Sequence, residues 1–215
     1  MGRRAAGVII AALLVAACST GSTPSAPSGG KLQVVAAESF WGSIAAQLGG
    51  DRVQVTTIIS SPDTDPHSYE PTPQDGRAIA SAQYVISNGL GYDTWAAQAV
   101  EANPAANRTF LEIGKLLNLR EGDNPHRWYF PADVEKVIAQ ITADLKKAAP
   151  ADAAYFDQQH DAFETTGLKQ YKGLLAQIKQ RYAGTPVGAS ESIFVGIAEA
   201  TGLDLTTPPA FLTAI

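Results

Sequence analysis

Short apolar runs alternate along this chain with stretches whose apolar residues recur every three or four positions. Lys31–Ala37 (KLQVVAA) and Val53–Ile59 (VQVTTII) are short and β-branched, the pattern of buried strands. Between them Phe40, Trp41, Ile44, Ala45 and Leu48 fall at helical spacing, and Gly49-Gly50 ends that helix. Thr72-Pro73-Gln74-Asp75 reads as a helix start, with Thr72 as N-cap, Pro73 at the first helical position and an end near Ala82. A strand at Tyr84–Ser87, a helix at Thr94–Ala102 and a strand at Thr109–Ile113 follow. Strands alternating with helices predict an α/β fold of parallel β-α-β units, with helices on both faces of the sheet. Ligands bind beyond the carboxyl ends of strands in such sheets, where the Asp63–Pro71 and Asn88–Tyr92 loops lie.

The second half begins with a connection, Leu117–Pro131, and an amphipathic helix at Asp133–Lys147. Pro150 interrupts the pattern, and Ala151–Tyr182 then reads as one long helix. Its expected buried side is Tyr155, Phe156, Phe163, Leu168, Leu174, Leu175 and Ile178, with Gly167 and Gly173 as weak points. After it the alternation restarts: a strand at Pro186–Ala189, a helix at Ser192–Ala200, a stop at Gly202 and a strand beginning at Leu203–Leu205. The expected organisation is an N-terminal α/β lobe at 31–130, a helical segment at 131–183 containing the long linking helix, and a second α/β lobe from 184. With about one and a half strands before Ile215, that second lobe reads as incomplete, as in a truncated chain.

The N-terminus changes the picture of where the protein works. Gly2-Arg3-Arg4 precedes a 13-residue small and apolar run, Ala5–Ala17, too short to span a bilayer but suited to a signal-peptide core. It ends LVAAC at Cys18, which resembles the bacterial lipobox, whose cysteine is lipidated and becomes the mature N-terminus. Residues 19–30 (STGSTPSAPSGG) have the composition of a flexible tether. Cys18 is the only cysteine, so there is no disulfide and no cysteine metal site. The net charge of −5, with no Lys/Arg cluster, argues against nucleic acid as a partner.

The candidate chemistry rests on two of the three histidines and one glutamate. His67 sits in SSPDTDPHSYEPTP (60–73), where prolines at 62, 66, 71 and 73 stiffen the loop. His126 follows Pro125 and precedes Trp128, Tyr129 and Phe130, and Glu191 stands just before an apolar helix. Two imidazoles and a carboxylate suit zinc, manganese or ferrous iron rather than calcium or magnesium. Spacings of 59 and 65 residues form no local metal motif, and each residue has a plainer reading: a turn residue, a packed aromatic, a helix-start acid. His160, among Gln and Asp in mid-helix, reads as an exposed helix residue.

DPHSYEPTPQD (65–75), NGLGYDTW (88–95), NPHRWYFPADV (124–134) and GASESIFVGIAEATGL (188–203) together resemble the metal-specific solute-binding lipoproteins of bacterial zinc and manganese ABC uptake transporters. The resemblance spans roughly Lys31 to Leu205. It implies two α/β lobes that clamp a divalent transition metal as transported ligand, with His67, His126 and Glu191 as ligands and no catalysis. The position of Glu191 is histidine in many zinc-type members and glutamate in many manganese-type ones. It further implies an ABC permease as partner, a monomer, and a lipid anchor holding the protein at the outer face of the cytoplasmic membrane. Binding should weaken as the histidines protonate below about pH 6.5. Two departures stand out: Asn124 replaces the usual aspartate, and the family's fourth ligand, an aspartate, would lie beyond Ile215, with Asp204 not at the matching position. The alternatives are a surface adhesin or structural lipoprotein, and a zinc hydrolase with an open coordination position. The hydrolase lacks an accompanying base such as an HExxH glutamate.

Overall fold

The computed structural model describes residues 1–2 and 30–213. The signal-peptide, Cys18 and tether expectations therefore lie outside the described residues. Residues 31–213 carry a four-stranded sheet built from β1 (Leu32–Glu38), β2 (Val53–Ile59), β3 (Tyr84–Ser87) and β4 (Thr109–Glu112), in the order β2-β1-β3-β4. All its pairings are parallel. The chain winds outward from β1 to β2, then returns to β3 on the other side of β1 and continues to β4. The crevice where that direction reverses lies between the carboxyl ends of β1 and β3.

Two apolar layers cover the sheet. On one face α1 (Ser39–Gly49), α5 (Pro131–Ala148) and α6 (Ala153–Ala162) bring Trp41, Leu48, Ile138, Ile141, Leu145 and Phe156 against Val34, Ala36, Tyr84 and Ile86. On the other, α2 (Pro73–Ser81) and α3 (Thr94–Ala102) bring Ile79, Trp95 and Ala96 against Val35, Ala37 and Val85. Inner strands wetted on neither side need the near-continuous apolar runs that β1 and β3 show. The start of α2 is a capping box. The Thr72 hydroxyl accepts from the Asp75 N–H at 3.3 Å, and Asp75 Oδ2 accepts from the Thr72 N–H and hydroxyl, both at 2.7 Å. Tyr69 donates to the same carboxylate at 2.8 Å. Burial pushes the Asp75 carboxyl upward, but these donors outweigh it and hold it below its usual range.

The long helix departs from expectation. It divides into α6, a π-turn at Phe163–Gly167 and α7 (Lys169–Tyr182); the short α4 (Ile113–Leu116) lies earlier, directly after β4. Thr165 donates its hydroxyl back to the Asp161 carbonyl at 2.6 Å, a bond that competes with the helical ladder. Phe163 packs so close to Gly167 that a Cβ there would stand 2.7 Å from its ring. Phe156 and Phe163 are buried as expected, but α7 buries no residue, and Leu174 is half exposed.

The restart after α7 forms a separate two-stranded parallel sheet, β5 (Pro186–Val187) with β6 (Asp204–Leu205). Between them a short turn at Ser192–Phe194 leads into α8 (Val195–Thr201), and α9 (Pro209–Leu212) follows β6. Gly202 closes α8 in the left-handed region at φ 71°, as its stop role requires. Gly196 lets α8 approach the 127–130 turn: a Cβ there would stand 2.5 Å from the Tyr129 carbonyl oxygen and 2.6 Å from the Phe130 ring. Among the described residues no helix is long and apolar enough to cross a membrane.

That contact predicts that Gly196→Ala, harmless to an isolated helix, costs about 1–3 kcal/mol here by overpacking. Chemical denaturation measures it, and an unchanged midpoint would show that α8 does not seat against the turn.

Candidate metal centre

Each sequence-predicted ligand is held by a local structure. Asp65 caps a single turn at Pro66–Ser68, its carboxylate accepting from the His67 N–H and the Ser68 hydroxyl, both at 3.0 Å. The His67 ring places Nδ1 3.3 Å from the Gly91 carbonyl. That carbonyl is aimed by an unusual turn in which Gly89, Leu90 and Gly91 all have positive φ (74°, 60° and 80°). Glycine tolerates this at two of the positions, and Leu90 takes the strain at the third.

His126 stands at the mouth of the β4–α5 connection. Trp128 stacks on Phe40 at 3.8 Å between ring centroids and meets the His126 ring edge-on at 5.3 Å. Arg127 lies over the Phe130 ring and pairs with the buried Asp133 at the start of α5, fixing the turn from below. The His126 Nδ1 has Asn124 Oδ1 at 3.0 Å and the Ser192 hydroxyl at 3.2 Å, while Nε2 faces Glu191 Oε1 at 3.0 Å. Asn124, in place of the usual aspartate, therefore still offers the imidazole an acceptor oxygen. Burial pushes the His126 imidazole below its ordinary pKa and His67 adds to that, while Glu191 opposes it.

His67, His126 and Glu191 line one cavity of about 920 Å³, together with Asp65, Asn124 and Ser192 and the apolar Leu90, Val195 and Leu212. His126 and Glu191 are in direct contact, and His67 lines the same cavity. Among the described residues no three His, Cys, Asp or Glu side chains converge closely enough to hold an ion as they stand. The donor set nonetheless fits a borderline transition metal, since donors on a tetrahedral zinc stand about 3.3 Å apart, near the His126–Glu191 separation. Asp204 is exposed on β6 and does not line the cavity, and His160 lies half-buried on α6 beside Asp161.

Sequence reading missed two features. Tyr92 stands with its ring edge-on to His67 at 4.8 Å and to His126 at 6.2 Å, linking the two walls. Burial, then the charges of Glu38, Asp65, Asp93 and Glu191, hold its hydroxyl protonated far above the usual range. Beneath it lies a buried polar cluster at the crevice. Asp93 accepts from the Asn88 and Gly89 N–H groups at 2.7 and 2.6 Å, and Asn88 accepts from the Trp41 indole at 3.1 Å and donates to the Pro125 carbonyl at 3.0 Å. Glu38 lies there fully buried; as a carboxylate it meets no hydrogen-bond donor among the described residues, and protonated it donates to Asp93. Burial, then the neighbouring Asp93, raises its pKa well above normal. The only sequence signal was a charged residue closing an otherwise apolar strand.

The family described as ZnuA, zinc-uptake complex component A, periplasmic, matches residues 34–214. The chain belongs to this family. The ZnuA family consists of solute-binding components of transport systems and not of enzymes, which removes the hydrolase reading. The manganese-binding lipoprotein MntA of Halalkalibacterium halodurans is 28% identical over 221 residues, covering 94% of this chain and 72% of that protein. The high-affinity zinc uptake system protein ZnuA of Bacillus subtilis is 28% identical over 203 residues, covering 85% and 61%. The crystal structure of the metal-dependent lipoprotein YcdH of Bacillus subtilis superposes with a TM-score of 0.72 at 25% identity, covering 81% of this chain and 66% of that one. This ZnuA-family chain thus spans about six to seven tenths of the length of these relatives.

The raised pKa of Glu38 carries a stability prediction. The native state keeps a proton that the unfolded chain releases above about pH 4.3, so stability falls as pH rises from there toward the raised native value. Glu38→Gln removes that loss, and its unfolding midpoint should exceed wild type at pH 8 by more than at pH 5. Parallel pH profiles for the two proteins would contradict a protonated Glu38.

Proposed function

We propose that this chain is the solute-binding component of a metal ABC transporter, capturing Zn²⁺ or Mn²⁺ and delivering it to a membrane permease. One observation carries the reading: His126 Nε2 and Glu191 Oε1 face each other at 3.0 Å in a cavity that His67 also lines. With Nδ1 protonated, both facing atoms carry lone pairs. Such a contact is favourable only when a proton or a cation lies between them.

The captured ion takes the place between them, and closure of the His67 loop brings the third ligand in. Neutral imidazoles with one carboxylate accept either borderline zinc or manganese, and the relatives are named for both metals. Those names support capture and delivery over the adhesin reading. Relatives named as lipoproteins support lipidation at Cys18, which would tether the carrier outside the cytoplasmic membrane beside its permease.

Because burial lowers the His126 pKa, protons compete for its Nε2 only below the ordinary imidazole range. Chelator-competition titrations of this chain should show zinc affinity nearly level from pH 8 to 6.5 and falling below. Glu191→Ala and His126→Ala should each weaken zinc binding about 100-fold or more. Retention of wild-type affinity by both variants would refute the assignment.

A further inference from the structure

Asn124 sits between the two ligand segments and bonds to both. Its Oδ1 accepts the His126 backbone N–H at 2.9 Å and stands 3.0 Å from His126 Nδ1. Its Nδ2 donates to the Ser192 backbone carbonyl at 2.8 Å, across 68 residues of sequence. Two of these partners have no choice of role: a backbone N–H only donates, and a backbone carbonyl only accepts. The amide is therefore fixed in one orientation, since flipping it would set NH₂ against N–H and C=O against C=O. With Oδ1 held in place as an acceptor, Asn124 draws the proton to His126 Nδ1, against the pull of the Glu191 carboxylate on Nε2.

We infer that Asn124 is a positioning residue: its amide sets the His126 tautomer and clasps the His126 turn to the Glu191–Ser192 turn, aiming two metal donors at one point. The inference rests on the metal-capture reading for its purpose but not for its geometry. An aspartate at 124 would satisfy the imidazole as an acceptor. It has no donor for Ser192, so it would set a carboxylate oxygen against that carbonyl. Alanine would lose both functions, leaving Nδ1 only the Ser192 hydroxyl at 3.2 Å. An amide serves both sides at once; neither a carboxylate nor a methyl does.

Asn124→Asp and Asn124→Ala in the full chain separate the two roles. Long-range ¹H–¹⁵N spectra of the metal-free protein at pH 8 read the His126 tautomer directly. Wild type and Asn124→Asp should show protonated Nδ1, whereas Asn124→Ala should shift toward protonated Nε2. Backbone hydrogen exchange over residues 190–193 should quicken in both variants, because both lose the bond to Ser192. Zinc affinity by chelator competition should fall about 10–100-fold in Asn124→Ala. A protonated Nε2 in wild type, or exchange at 190–193 unchanged in Asn124→Asp, would overturn the inference. A wild-type chain that binds no zinc would instead overturn the capture reading, leaving the tautomer and exchange results to judge Asn124.

Discussion

His126 Nε2 and Glu191 Oε1, held face to face at 3.0 Å, impose the condition to which the surrounding structure answers. Left to themselves, such groups rotate away and hydrate. They are kept together because each is fixed from behind. Asn124 holds the imidazole by Nδ1, the Phe40–Trp128 stack walls one side of its turn, and the Arg127–Asp133 pair anchors that turn to α5. Glu191 comes from the far side of the chain, and its approach depends on Gly196, which lets α8 seat against the Tyr129–Phe130 backbone. Burial adds its own pressure by disfavouring the protonated imidazole, so the contact is biased toward a form with a lone pair available for an ion.

Below this contact, the crevice between β1 and β3 acts as the mounting. Asp93 gathers the Asn88 and Gly89 amides, and Asn88 reaches up to the Pro125 carbonyl, one residue before His126. The 89–91 turn aims the Gly91 carbonyl at His67, so both histidine loops are referenced to the same end of β3. The protonated Glu38 is a cost of this arrangement: the cluster places two carboxyl groups in an apolar layer where both cannot ionise. Polar groups so deeply set exchange stability for fixed geometry, which suits a site that must present donors before its cargo arrives.

Much of this was legible in the sequence. Strand β2, strand β3 and helix α3 fall where period and turn residues put them, because each is an unbroken run closed by glycine, proline or a capping residue. The N-cap at Thr72 followed from spacing alone, while the reciprocal bond from Asp75 is seen only in the structure. The continuous helix at 151–182 did not survive intact: Thr165 and Gly167 weaken it locally, but the π-turn needs the packing of Phe163 to form. Leu174 misled because helical periodicity marks an apolar stripe without saying whether anything covers it. At the site, the His, His and Glu came from the resemblance, since spacings of 59 and 65 residues carry no local signal. Tyr92, Glu38 and the bridging role of Asn124 were hidden because each acts through tertiary neighbours from other loops.

X-ray absorption at the zinc edge of the stoichiometrically loaded chain tests the central claim most directly. Two imidazole nitrogens at about 2.0–2.1 Å with carboxylate oxygen completing the shell are predicted. A shell of oxygens alone, with no imidazole scattering, would contradict the account.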